Sequence, residues 1–212
     1  MIVSHERRVL FVHVQKTGGI TVEKTLVERL PGAVKLARLP GRRHARLGAV
    51  LRVHPEVADY WTFGFVRNPW ARMWSWYAMI QRRQGAAEGG NSRVATRIER
   101  NAFWSGVLDD IPDFETFVMQ GPDRFARLGT PQVRYLRTPQ KQADFIGRTE
   151  RLDEDLAQVC ERLGLEAPPS VPRRNVGTTS DHRRHYTPAM RDRVGELYAR
   201  DVALFGYRFD DL

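Results

Sequence analysis

The chain has 212 residues, a formal net charge of +9, a pI near 10.3 and one cysteine. That length supports a buried α/β core, and no Pro-rich or Ser/Gly-rich linker divides it, so a single domain over 1–212 is expected. No apolar run is long enough for a transmembrane segment, no Cys/His cluster has zinc spacing and one cysteine excludes an internal disulfide, so a cytoplasmic protein without a metal is expected. The positive charge favours an anionic partner: nucleic acid, a membrane surface, an acidic glycan or a polyanionic cofactor.

Val9-Leu10-Phe11-Val12 predicts a buried strand over 9–14 that leads into His13-Val14-Gln15-Lys16-Thr17-Gly18-Gly19-Ile20-Thr21. Two glycines let backbone close around an anion, the following helix offers its first N–H groups, and Lys16 adds a charge, which together outline a phosphate cradle. A simple strand-to-helix reversal would use the same residues. The lysine also precedes the glycines, unlike the pattern of nucleotide triphosphatases.

Val22, Leu26, Val27 and Leu30 recur at helical spacing until Pro31-Gly32 stops the helix. Residues 33–36 predict a second strand, completing a β-α-β unit. A turn over 39–43 then leads to His44 and a short helix carrying Leu47, Val50 and Leu51. Residues 60–66 are aromatic and β-branched and predict a central strand. Asn68 and Pro69 suit the N-cap and first position of the next helix, where Trp70, Met73, Trp74 and Tyr77 predict a core stripe with Ser75 off it.

Residues 85–92, small and glycine-rich, predict a mobile surface loop, followed by a less regular helical region to about 128 with Phe114, Phe117 and Val118. A last strand is expected over 144–147, then a helix over 152–163 with Cys160 on its apolar face as a buried, inert thiol. A basic loop over 166–181 precedes a final helix over 188–204. Strands alternating with helices imply an α/β fold with a mostly parallel central sheet flanked by helices.

Arg67 ends the central strand and Ser75 follows on the second turn of the next helix. Ligands of open parallel sheets bind beyond the carboxyl ends of the strands, so Arg67 and the first loop are expected to face one crevice. A guanidinium fork and a hydroxyl suit a phosphate monoester. An arginine at a sheet end with a serine on a solvated helix face is the plain alternative.

Lys16-Thr17-Gly18-Gly19-Ile20-Thr21 resembles the 5′-phosphosulfate loop of sulfotransferases that use 3′-phosphoadenosine 5′-phosphosulfate (PAPS), and residues 65–77 are similar to their 3′-phosphate motif. The likeness continues through 145–152 and 198–209, in family order. It is nearest the carbohydrate branch, which includes heparan sulfate 2-O and 6-O enzymes, and implies a bacterial-type member with a P-loop-like three-layer fold. Ile20 departs from that pattern by replacing a common hydroxyl residue, while Thr21 keeps the next one.

The resemblance implies transfer of a sulfuryl group from PAPS to a hydroxyl of a glycan, glycolipid or small natural product by in-line displacement, releasing 3′-phosphoadenosine 5′-phosphate (PAP), with no metal. Lys16 would contact the 5′-phosphate and bridging oxygen. Thr17, Gly18, Gly19, Ile20 and Thr21 would supply N–H groups or hydroxyls to that phosphate, and Arg67 with Ser75 would hold the 3′-phosphate. A late loop with Arg173, Arg174, Asn175, Thr178 and Thr179 lies where relatives close over the nucleotide.

His44 is the candidate base, since it follows the second strand and titrates ordinarily near neutrality, and Arg43-His44-Ala45 resembles the place of the family's catalytic histidine. His13 is the rival by proximity and Glu23 a further alternative. Two other readings remain: a basic nucleic-acid-binding module, for which no recognised motif is present, and a nucleotide kinase-like P-loop enzyme, whose phosphate loop and magnesium ligands are missing.

Overall fold

The computed structural model describes residues 1–168 and 181–211. In chain order the elements are β1 (Ile2–Ser4), β2 (Val9–Val12), α1 (Gly19–Arg29), β3 (Ala33–Lys35), α2 (Leu47–Val53), β4 (Trp61–Val66), α3 (Pro69–Glu88), α4 (Ser92–Glu99), α5 (Ala102–Asp110), α6 (Phe114–Met119), α7 (Gly121–Arg124), α8 (Val133–Leu136), β5 (Phe145–Arg148), α9 (Leu152–Arg162), α10 (Pro188–Leu197) and α11 (Ala199–Phe205). No helix of the described residues is long and apolar enough to cross a membrane. The described chain forms two compact units, 1–67 with 132–168, and 68–131 with 181–211.

The first unit is α/β. Its five-stranded sheet has the order β3-β1-β2-β4-β5, with β2–β4 and β4–β5 parallel and β1 antiparallel to both of its neighbours. Phe11, Phe63 and Phe65 project from one face into a core completed by Val22 and Leu26 of α1 and by Leu152, Leu156, Val159 and Cys160 of α9. Leu136 of α8 packs on the opposite face at Gly64. Helices thus cover both faces, and burial of these apolar side chains is the main drive for assembling the layers.

Several expectations change here. Residues 2–4 form a strand that was not anticipated, because three residues carry too little pattern to be read alone. Consequently β3 pairs antiparallel with β1, and the anticipated β-α-β unit is not a parallel crossover. Val27 is exposed, while Val22, Leu26 and Leu30 are buried. Cys160 is fully buried, and burial raises its thiol pKa.

The second unit is helical. Asn68 caps α3 as expected: its Oδ1 accepts from the Trp70 and Ala71 N–H groups at 3.0 and 3.2 Å, while its Nδ2 donates to the carbonyls of Arg208 and Asp211. The buried stripe of α3 is Trp70, Arg72, Met73, Trp76 and Ile80. Trp74 and Tyr77 are only half-buried, and Trp74 stacks on His185 with ring centroids 3.6 Å apart. Arg72 joins the buried face because its guanidinium lies over the rings of Trp76 and Tyr198.

Residues 85–88 continue α3 where a loop was expected, since Ala86, Ala87 and Glu88 are strong helix formers that outweigh one glycine. The turn shrinks to residues 89–91, and Asn91 caps α4. The final helix divides at Tyr198, whose buried hydroxyl donates to the Leu128 carbonyl. The basic loop residues Arg173, Arg174, Asn175, Thr178 and Thr179 lie outside the described residues.

Candidate active site

The first loop leaves the carboxyl end of β2 and enters α1 with Gly18 as N-cap, at φ 75° and ψ 1°. Lys16 is also left-handed, at φ 68°. Left-handed residues of this kind turn successive N–H groups toward one side of a loop, and no side chain caps α1, so its first turn is open to an anion. The Thr17 hydroxyl donates to the Val14 carbonyl at 2.9 Å and closes the loop on itself. The Thr21 N–H is donated to the Gly18 carbonyl at 2.9 Å, which leaves its hydroxyl as the group it can offer a ligand. Ile20 is 53% exposed.

Both glycines are required sterically. Gly18 has a conformation that L side chains rarely adopt, and a Cβ there would meet Leu152 Cδ2 at 2.8 Å. At Gly19 a Cβ would lie 2.2 Å from His13 Cδ2. The His13 ring therefore occupies the space beside the start of α1.

His13 is buried and its Nδ1 lies 3.0 Å from Glu23 Oε1 on α1. A carboxylate only accepts, so neutral His13 carries its proton on Nδ1. Burial lowers the His13 pKa, against the pull of Glu23. Burial opposes Glu23 ionisation, but the His13 hydrogen bond and charge and the Met1 amino group outweigh it and bring the carboxyl to about 2. Arg43 adds an ion pair to Glu23 Oε2 at 3.6 Å. Glu23 is thus committed to holding its neighbours.

His44 ends the 3₁₀ turn Arg42–His44. Its Nδ1 lies 3.1 Å from the His13 carbonyl oxygen, and its ring meets the His13 ring edge-on with centroids 4.5 Å apart. A carbonyl only accepts, so Nδ1 carries the hydrogen and Nε2 keeps a lone pair. Burial, followed by the charge of His13, lowers the His44 pKa to about 3. The structure thus joins His44, His13 and the Gly19 end of the loop in one contiguous cluster.

Arg67 follows β4, whose parallel register with β2 pairs Val12 with Gly64. Lys16 and Arg67 therefore leave the same end of the sheet, four and three residues beyond that pair. Gln132, which carried no sequence signal, clamps Arg67: its Oε1 accepts from the Arg67 N–H at 2.9 Å and its Nε2 donates to the Arg67 carbonyl at 2.8 Å. Thr149 secures the preceding carbonyl of Val66 at 3.0 Å. Ser75 is half-buried on α3 in the second unit. Among the described residues no group of three or more His, Cys, Asp or Glu side chains is arranged to hold a metal.

A parallel ladder with a strand–loop–helix turn at the carboxyl end of β2 and helices on both faces defines an α/β protein of P-loop-like architecture. The chain belongs to the sulfotransferase family, whose sequence profile matches residues 1–208. It is similar to carbohydrate sulfotransferase 14 of Danio rerio, at 24% identity over 229 residues covering 98% of this chain. The chain spans 62% of that relative's length.

Proposed function

We propose that this chain transfers a sulfuryl group from PAPS to a hydroxyl of a carbohydrate acceptor. The observation that carries the reading is the contact of His44 with His13 beside the Gly18-Gly19 loop, which sets a proton acceptor next to an anion cradle. Family membership supports sulfuryl transfer, and the relative's name supports a carbohydrate as its acceptor.

The loop suits a phosphate, because Lys16 and Gly18 take left-handed conformations that turn its N–H groups and the first turn of α1 has no side-chain cap. PAPS would supply the activated sulfuryl group. Lys16 would neutralise negative charge gathering on the phosphate held by the N–H groups of Thr17, Gly18, Gly19 and Ile20 and the hydroxyl of Thr21. Arg67, with its backbone fixed by Gln132, would hold the second phosphate.

His44 Nε2 would take the acceptor hydroxyl's proton, while the bond from Nδ1 to the His13 carbonyl keeps the ring in the required tautomer. An anion in the cradle stabilises the imidazolium and raises the His44 pKa from its depressed value. Base strength is thereby coupled to donor binding.

The test combines a melt and a turnover assay. PAP should raise the melting temperature while ATP and AMP do little, and labelled donor should pass sulfur to a carbohydrate acceptor. His44→Ala should retain the PAP shift and lose transfer by about 10²–10⁴-fold. A fully active His44→Ala protein removes the base assignment, and no PAP shift in the wild-type protein removes the donor assignment.

A further inference from the structure

Within the second unit α4 packs against α3 and α5, and none of its residues is fully buried. Val94, Ala95 and Ile98, all half-buried, form its inward side. Arg93, Arg97 and Arg100 recur at i, i+4 and i+7, and all three are exposed. At 3.6 residues per turn they fall within about 60° of one another, on the side away from the apolar three. Arg82 and Arg83 lie beside this stripe on α3, close enough that the charges of Arg97 and Arg82, after burial, lower the Arg83 pKa.

Five arginines in one place are costly, and the chain does little to offset them. Among the described residues no hydrogen bond or ion pair engages the guanidinium groups of Arg83, Arg93, Arg97 or Arg100. Glu99 falls about 120° around the helix from Arg93, and Glu88 accepts from the Gln84 amide at 2.9 Å. Like charges at i, i+3 and i, i+4 repel. The helix dipole favours Arg97 and Arg100 at the carboxyl end of α4 but disfavours Arg93 in its first turn. A face that meets only water is better served by interspersed signs.

The stripe runs along the outside of a helix for about 10.5 Å, seven residues at 1.5 Å each. Small molecules are held in concave sites, so a convex line selects an extended polyanion or a charged surface. A nucleic-acid strand, with a phosphate about every 3.4 Å, would follow the line alone. A surface engages the line together with Arg82 and Arg83 on the neighbouring helix. Arg83 also lies over the half-buried Trp104 ring, 4.2 Å from its centroid, and denies that face to base stacking. An amphipathic indole instead suits the headgroup layer of a bilayer.

We infer that the arginine stripe of α4, with Arg82 and Arg83 beside it, docks the protein on an anionic phospholipid surface. Phosphate and carboxylate oxygens of the headgroups match the guanidinium forks that Arg93, Arg97 and Arg100 present. The docking is peripheral, because the apolar side of α4 stays packed within its own unit. Each arginine brought to such a surface raises partitioning about fivefold.

The experiment is sedimentation of the full chain with phosphatidylcholine vesicles containing about one-third phosphatidylserine, against pure phosphatidylcholine vesicles. The proteins are the wild type, Arg93→Gln/Arg97→Gln/Arg100→Gln, and Arg52→Gln/Arg134→Gln/Arg200→Gln, which removes the same charge from exposed positions elsewhere. The wild type should bind the phosphatidylserine vesicles alone and be released by raised salt. The stripe variant should lose about 10²-fold in partitioning, and the control should stay within about fivefold of the wild type. Wild-type partitioning in a folded stripe variant overturns the inference. So does an equal loss in the control, which would make net charge the cause, or tighter stripe-dependent binding of a short DNA duplex. Arg97→Glu changes one exposed side chain and should weaken partitioning about 25-fold, which keeps the test decisive if the triple variant fails to fold.

Discussion

Gly19→Ala puts the contact between the first loop and the His13–His44 pair under direct load. The added Cβ would stand 2.2 Å from His13 Cδ2 and 2.3 Å from Nε2, where ordinary carbon contacts are about 3.5–4.0 Å. The His13 ring or the start of α1 must move by about 1 Å or more. The ring has little freedom, being 2% exposed, bonded to Glu23 at 3.0 Å and packed against both Phe11 and His44. Overpacking costs about 1–3 kcal/mol, and loss of the bond to a charged Glu23 adds about 1.5–3 kcal/mol. Better helix propensity returns up to about 1 kcal/mol. The net is about 3 kcal/mol, which for a chain of this size lowers the melting temperature by about 6–12 °C. Gly85→Ala is the control, because nothing lies within 4 Å of that position and it sits inside α3. It should be neutral or stabilising by up to about 1 kcal/mol. Thermal melts of the two variants with the wild type decide the matter, and a Gly19→Ala protein that melts with the wild type and transfers sulfate at its rate refutes the reasoning.

Stability should fall on acidification from about pH 6.5 toward 3, because in that window an unfolded His44 binds a proton that the folded residue refuses, and His13 acts in the same direction. Glu23 extends the loss from about pH 4.5 toward 2, since its unfolded carboxyl protonates first; melts across pH should show His44→Gln with a flatter upper part of this decline, and an unchanged profile counts against the depressed histidine. Lys16→Gly should relieve a left-handed conformation worth about 1–2 kcal/mol, so its melting temperature holds or rises while transfer is lost; a lower melting temperature removes the strain argument. Gln132→Ala should leave both Arg67 backbone groups without their clamp, costing about 1–3 kcal/mol and weakening PAP in titrations by more than a distant core truncation of equal stability cost.

The parts legible in the sequence are those with local chemistry. Asn68-Pro69 announces the start of α3 because capping is decided by adjacent residues, and the aromatic run before it marks β4 for the same reason. The Gly18-Gly19 pair is visible, but its second glycine is explained by a ring six residues earlier that only the folded chain brings into contact. Gln132 is illegible for a stronger reason: its partner is 65 residues away and its bonds go to backbone atoms, which carry no side-chain signature. The misread stripe of α3 has a similar origin. Periodicity ranks a tryptophan above an arginine, whereas Arg72 is accommodated by two aromatic faces that come from α3 itself and from residue 198.

Glu23 shows how the site follows from the fold. A buried carboxylate is costly unless its oxygens are engaged, and here they take His13, Arg43 and the Met1 amino group. It lies on α1 next to Val22 and three residues before Leu26, the side chains that seat this helix on the sheet. Docking α1 therefore carries the carboxylate to His13 in the same event. His13 in turn fills the space over Gly19 and offers its carbonyl to His44. The hydrophobic face that buries α1 thus fixes the loop at its N-terminus and the tautomer of His44 beside it. Neither could be reoriented without unseating the other.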